Sequence, residues 1–111
     1  SEFKAFSGRR VAIIGDMLEL GNWSVRAHTE IGRLAAKCGV DFLVTVGEKS
    51  RHTMQAALES GFAPEKTVHF DNSVKTAERV NELVKSGDFI LIKGSRGMKL
   101  EVILNALQGE K

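Results

Sequence analysis

The stretch Val11-Ala12-Ile13-Ile14-Gly15-Asp16-Met17-Leu18-Glu19-Leu20-Gly21 decides the fold. Its first four residues are continuously apolar. An alternating run would mark a strand with one wet face, whereas a continuous run marks a strand covered on both faces of a parallel sheet. Gly15 and Asp16 then break the run and open a loop. Working outward, three more short runs read as strands: Phe42-Leu43-Val44-Thr45-Val46, a weaker Thr67-Val68-His69-Phe70, and Phe89-Ile90-Leu91-Ile92. The last is again continuously apolar.

Helical patterns separate the strands. The first runs from Ser24 to Lys37, with Ser24 as N-cap, Gly39 as stop, and Ala27, Ile31, Leu34, Ala35 and Cys38 on one face. The second covers Ser50 to Ser60, with Met54, Ala57 and Leu58 inward and Gly61 ending it. The third follows Ser73, with Val74, Ala77, Val80 and Val84 inward and Gly87 ending it. The fourth follows Gly97, with Leu100, Ile103, Leu104 and Leu107 inward. This alternation, with right-handed crossovers, predicts an α/β fold: a Rossmann-like doubly wound, mainly parallel sheet with helices on both faces. One domain is expected over residues 8–111, with residues 1–7 an expression remnant or linker.

Composition narrows the function. A net charge of +2 over 111 residues is too small and too evenly spread to argue for nucleic acid or a membrane surface. No apolar run approaches the roughly 20 residues that span a bilayer. The single cysteine, Cys38, cannot form an internal disulfide and reads as a small core residue. With no secretion signal, a cytoplasmic location is expected. His28, His52 and His69 lie on different elements without clustered acids or thiols, so no metal site is expected.

In a parallel sheet the carboxyl ends of the strands share one edge, where ligands bind. Gly15-Asp16, Gly47-Glu48-Lys49-Ser50-Arg51, Asp71-Asn72-Ser73 and Lys93-Gly94-Ser95-Arg96-Gly97 follow the four strands. Ser95 and Arg96 are expected at a helix amino terminus, where free N–H groups favour an anion. Arg96 there either grips a carboxylate or phosphate or is a solvated arginine. Asp16 either meets a ribose hydroxyl or a cation, or caps a turn. Leu18 and Leu20 are odd in an exposed loop and point to a packing partner such as another domain. Trp23 reads as a packing anchor.

Gly47-Glu48-Lys49-Ser50 fails as a P-loop, because Glu48 splits the Gly-Lys pair and Phe42 stands where the upstream glycine belongs. The domain alone should therefore not cradle a triphosphate. Two other readings stand beside a ligand-binding one. Asp16, Asp71 and Lys93 loosely echo a receiver-type phospho-acceptor pocket, although a fifth strand and a second acid are missing. Leu18, Leu20 and Trp23 would serve a protein-interaction domain.

Gly15-Asp16-Met17-Leu18-Glu19-Leu20-Gly21 with His28 downstream, and Lys93-Gly94-Ser95-Arg96-Gly97-Met98, resemble in order and placement two motifs of the Mur ligase carboxy-terminal domain. The resemblance runs from Arg9 to Leu107 and is closest to the branch that adds D-alanyl-D-alanine. It implies the third domain of an ATP-dependent ligase of peptidoglycan precursor synthesis. UDP-N-acetylmuramoyl tripeptide would be joined to D-alanyl-D-alanine through an acyl-phosphate, with ADP and phosphate released. ATP and Mg2+ would be held mainly by a central domain, and this domain would be inactive alone. Its partners would be the central and amino-terminal domains of the same polypeptide, without nucleic acid or membrane insertion. Asp16, Glu19 and His28 would lie near ATP. Ser95, Arg96, Arg51 and Lys49 would lie near the dipeptide. Arg51 matches in position a carboxylate-gripping arginine of a sister Mur ligase, but its flanking residues depart from that motif.

Overall fold

A computed structural model describes residues 8–109. The first strand, β1 (Arg10–Gly15), is paired on both sides, by β2 (Phe42–Val46) and β4 (Phe89–Lys93), and β3 (Thr67–Phe70) lies outside β2. All three pairings are parallel and the order is β3-β2-β1-β4. The helices are α1 (Ser24–Lys37), α2 (Ser50–Glu59), α3 (Ser73–Leu83) and α4 (Glu101–Leu107). The doubly wound parallel sheet expected from the alternation is therefore present. The expectation for residues 1–7 lies outside the described residues.

Side-chain alternation along the central strands splits the core in two. Val11, Ile13, Val44 and Val46 pack with Val80 of α3 and Ile103 of α4. Ala12, Ile14 and Leu43 pack with Ala35 of α1, Ala57 of α2 and Phe62. So α1 and α2 cover one face and α3 and α4 the other. The chain winds from β1 out to β3 over one face, then crosses the other face to return to β4. Right-handed crossovers require that change of face when the direction reverses.

The foot of the β1–β4 pair is pinned by charge. The Arg9 guanidinium donates to Asp88 at 2.8 and 3.3 Å and to the Leu83 carbonyl, the last residue of α3, at 2.8 Å. Arg10 meets Asp41 in the same way at 3.1 Å. Both aspartates are held below the usual carboxylate range, Asp88 by the Arg9 side chain and Asp41 first by the Arg10 backbone N–H. This grip explains why α3 stops at Leu83 rather than at Gly87: Arg9 takes its end carbonyl and the Asp88 carboxylate accepts from the Lys85 N–H at 2.7 Å.

Several inward assignments are corrected. β4 is an edge strand, and Phe89 and Leu91 on its α1/α2 face are 41% and 47% exposed. Leu34 and Cys38 are also exposed, lining with Leu91 an apolar groove of about 260 Å³. The reason is that α1 turns its small side toward α2. Its buried line is His28, Gly32 and Ala35, and a Cβ on Gly32 would run into the Thr53 carbonyl and come within 2.9 Å of Ala56 and Ala57. Val74 and Leu104 are likewise exposed on α3 and α4, and Trp23 is 64% exposed, with Arg26 over its ring rather than a core around it.

Gly32→Ala gains up to about 1 kcal/mol of helix propensity but forces α1 and α2 apart, at about 1–3 kcal/mol or more. The clash is with backbone and should win. Thermal unfolding of this variant is expected to show a lower Tm, and a Tm equal to or above that of the parent chain would refute the tight α1–α2 contact.

Candidate functional site

The sheet reverses direction at β1 and β4, so the loops after these two strands emerge side by side at its carboxyl edge. Open α/β sheets bind ligands at such a reversal. Three hydrogen bonds and one helix cap shape the junction here.

The Asp16 carboxylate, 5% exposed, accepts from the Lys49 and Ser50 N–H groups at 3.1 and 2.7 Å. It thereby satisfies the first turn of α2, which has no cap from its own flank. Gly47 makes room for it: φ there is +108°, and a Cβ would sit 2.6 Å from the carboxylate. The Asp16 carbonyl accepts from the Ser95 N–H at 2.9 Å. The Met17 N–H donates to His28 Nε2 at 3.1 Å, and the Leu18 N–H donates to Ser95 Oγ at 2.8 Å. Gly94 lets the loops touch, since a Cβ on it would lie 3.1 Å from the Gly15 Cα.

These bonds leave two clefts, one on either side of Leu18. The larger, about 560 Å³, is lined by Leu18, Glu19 and Gly94 to Gly97, with Ser95 and Arg96 between. The other, about 400 Å³, includes Ser24, Glu48, Lys49 and His52. Arg96 and Lys49 are exposed, and neither cationic head has an ion-pair partner among the described residues.

The structure therefore divides the expected site residues. Glu19, Ser95 and Arg96 share the first cleft, and Lys49 lines the second. Asp16 and His28 lie buried beneath the loop with their polar atoms engaged by the protein. Arg51 stands apart, exposed and bonded to Asp71 at 3.0 Å, an acid that Lys75 also approaches at 3.4 Å. The three receiver-like residues are not brought together: Asp16 caps α2, Asp71 pairs with Arg51, and Lys93 ends β4 beside the apolar groove. Among the described residues no group of three or more His, Cys, Asp or Glu could hold a metal ion, and no helix is long and apolar enough to cross a membrane.

One expectation is corrected. Ser95 and Arg96 do not stand at the amino terminus of the last helix. A single 3-10 turn, Arg96–Met98, intervenes, Lys99 adopts a left-handed φ of 55°, and α4 starts only at Glu101. The helix-dipole argument for an anion lapses, and the guanidinium itself remains. Sequence reasoning missed Ser24 and His52 as cleft residues and Leu18 as the residue whose N–H bonds Ser95. The first two carry no special signal, and Leu18 acts through its backbone N–H, which every non-proline residue shares.

His69 of β3 accepts or donates at Nδ1 to Thr45 Oγ1, 2.7 Å away, while its Nε2 is buried without a partner. Burial, with Arg51 adding, pushes its pKa below the ordinary histidine value.

Comparison with known proteins gives the family and the fold. A model of the family described as Mur ligase, glutamate ligase domain, matches residues 1–96, and the chain belongs to that family. Among its relatives is the UDP-N-acetylmuramoyl-tripeptide–D-alanyl-D-alanine ligase of Bacillus subtilis, 34% identical over 100 residues. The Escherichia coli ligase of the same name is 34% identical over 103 residues. The alignments cover 90% and 91% of this chain but only 22% and 21% of those proteins, so the chain spans about a fifth of their length. Among solved structures, MurF from Acinetobacter baumannii superposes with a TM-score of 0.76 at 27% identity, over 94% of this chain and 23% of that one. MurF ligase from Thermotoga maritima, solved in complex with ADP, gives 0.70 at 25% identity, over 95% and 23%.

Two outcomes follow from the local chemistry. Asp16→Ala removes the acceptor for two N–H groups and should cost about 1–2 kcal/mol in chemical denaturation. For His69, the unfolded chain takes up a proton before the folded one as pH falls. Its contribution to stability is complete above about pH 6.5 and declines below it. A His69→Asn variant should lose stability less steeply between pH 7 and 5 than the parent, and parallel curves would show that His69 is not the titrating group.

Proposed function

We propose that this chain is the carboxy-terminal domain of an ATP-dependent ligase that joins D-alanyl-D-alanine to UDP-N-acetylmuramoyl tripeptide in the cytoplasm, for peptidoglycan synthesis. The reading is carried by the cleft at the β1–β4 reversal, whose lining brings an Arg96 without an ion-pair partner among the described residues together with Glu19, Ser95 and two glycines. Family membership and the names of the relatives support it.

On this reading Arg96 binds the dipeptide carboxylate through a charge-assisted pair. The Ser95 oxygen accepts from Leu18, so its O–H remains available to donate into the cleft. Lys49 and Arg51 border the dipeptide from the second strand's loop, and Arg51 reaches it by leaving Asp71. Glu19, with Asp16 and His28 beneath the loop, forms the nucleotide side. ATP, when bound, supplies the phosphoryl group that activates the acceptor carboxylate toward the dipeptide amine. The described residues fit one wall of such a site: they offer free cations at the cleft and no glycine-rich cradle for a triphosphate. They do not fit a magnesium site, for which they offer no carboxylate cluster. The triphosphate and metal are assigned to a central domain of the parent polypeptide. Leu18, Trp23 and Val25, 42%, 64% and 55% exposed beside the clefts, form the surface that meets it.

The test is phosphate release by the full-length parent protein. Turnover should need ATP, the UDP-sugar tripeptide and D-alanyl-D-alanine together, and the 111-residue chain alone should give none. Arg96→Ala in the full-length protein should lower kcat/KM for the dipeptide by about 10–100-fold, the value of a charged hydrogen bond. Turnover by the isolated chain, or with a different amine in preference, would reject the assignment.

A further inference from the structure

His28 is fully buried, and both of its ring nitrogens are engaged, Nε2 by the loop that walls the cleft and Nδ1 by the first residue of its own helix. Its Nδ1 lies 2.6 Å from the Ser24 carbonyl oxygen. A carbonyl only accepts, so Nδ1 carries the proton, and Nε2 is left as the acceptor for the Met17 N–H at 3.1 Å. The next residue, Leu18, donates to Ser95 Oγ, and the preceding carbonyl, of Asp16, accepts from the Ser95 N–H. The Asp16 to Leu18 backbone is thus held on one side by Ser95 and on the other by a single imidazole. His28 is itself anchored, because the Thr53 hydroxyl donates to its carbonyl at 2.9 Å and so ties this turn of α1 to α2.

The geometry points to His28 as a positioning residue: a neutral, Nδ1-protonated imidazole that holds the Met17 N–H and thereby sets Leu18 and Ser95 at the mouth of the cleft. It touches no substrate. It acts through two consecutive backbone amides, one bound by His28 and the next by Ser95. A leucine of similar volume would fill the space but leave the partly buried Met17 N–H without its partner, so packing alone does not account for a histidine here. The inference deepens the ligase reading and rests on it for the kinetic part of its test only.

Three variants of the full-length protein separate the roles. His28→Gln can still offer an acceptor at the reach of Nε2. His28→Asn retains a donor toward Ser24 but falls short of Met17. His28→Leu fills the volume with neither. Amide hydrogen exchange in the 15–21 segment should rise about tenfold or more in the Asn and Leu variants, with β2 and α3 unchanged, and return toward the parent rate in Gln. The KM for the dipeptide should rise by about the same factor in Asn and Leu, with kcat changing less. Unchanged exchange in Asn and Leu would overturn the proposal. So would a rise spread equally over β2 and α3, or a Gln variant no better than Leu. Should the variants not fold, long-range proton–nitrogen NMR of the parent protein decides: a proton on Nδ1 of His28 supports the pin, and one on Nε2 refutes it. Exchange and tautomer need no turnover, so they judge His28 even if the parent protein proves to lack ligase activity.

Discussion

The pairing of β4 with β1, on the side away from β2, is the constraint on which the rest of the molecule depends. It gives β1 a second neighbour and forces the chain to change faces between β3 and β4. It also brings two loops together that are about 80 residues apart in sequence, the ones leaving Gly15 and Lys93. The pairing is secured at its foot by Arg9, which bonds both Asp88 before β4 and the end of α3. At its head it is secured by the Ser95–Asp16 and Leu18–Ser95 bonds. An interaction at one end of the strand pair and a cleft at the other are consequences of the same registration.

Around that head the polar side chains do two different jobs. A loop that leaves a buried strand carries backbone N–H groups that must find partners. Asp16, His28 and Ser95 meet this need, Asp16 for the first turn of α2 and the other two for Met17 and Leu18. The charges left over, on Glu19, Lys49 and Arg96, are the exposed ones. The inner set gives the clefts a fixed wall, and the outer set gives them chemistry. Preorganisation of this kind spares a ligand the cost of ordering the loop when it binds.

Much of this was legible in the residues. Strands β2 and β3 coincide with the runs Phe42–Val46 and Thr67–Phe70, and α1 occupies Ser24–Lys37 as its periodicity predicts. The gathering of Gly15-Asp16 and Gly94 to Gly97 at one edge also followed from pattern alone. Burial was less legible. Phe89-Ile90-Leu91-Ile92 reads as a doubly covered strand, yet Phe89 and Leu91 are exposed because no helix among the described residues lies over that side of β4. Leu34 and Cys38 share that open groove, while the polar Thr53 and Thr76 are fully buried, their hydroxyls donating to the His28 and Asn72 carbonyls. Hydrophobicity describes what a residue tolerates; coverage depends on which neighbour arrives.

By itself, then, the sequence determined the class of fold, the edge at which ligands would gather and the motifs that resemble a ligase domain. These depend on local periodicity, turn chemistry and spacing, all of which are written along the chain. Only the tertiary structure decided which of the edge residues face a cleft and which support it. Asp16 turned inward because α2 presents bare N–H groups within its reach, and His28 because the Met17 amide lies over it. Arg96 stayed outward because no acid among the described residues comes to it. Those outcomes are set by partners distant in sequence, and a carboxylate or an imidazole reads the same in the chain whether it will hold a ligand or a backbone amide.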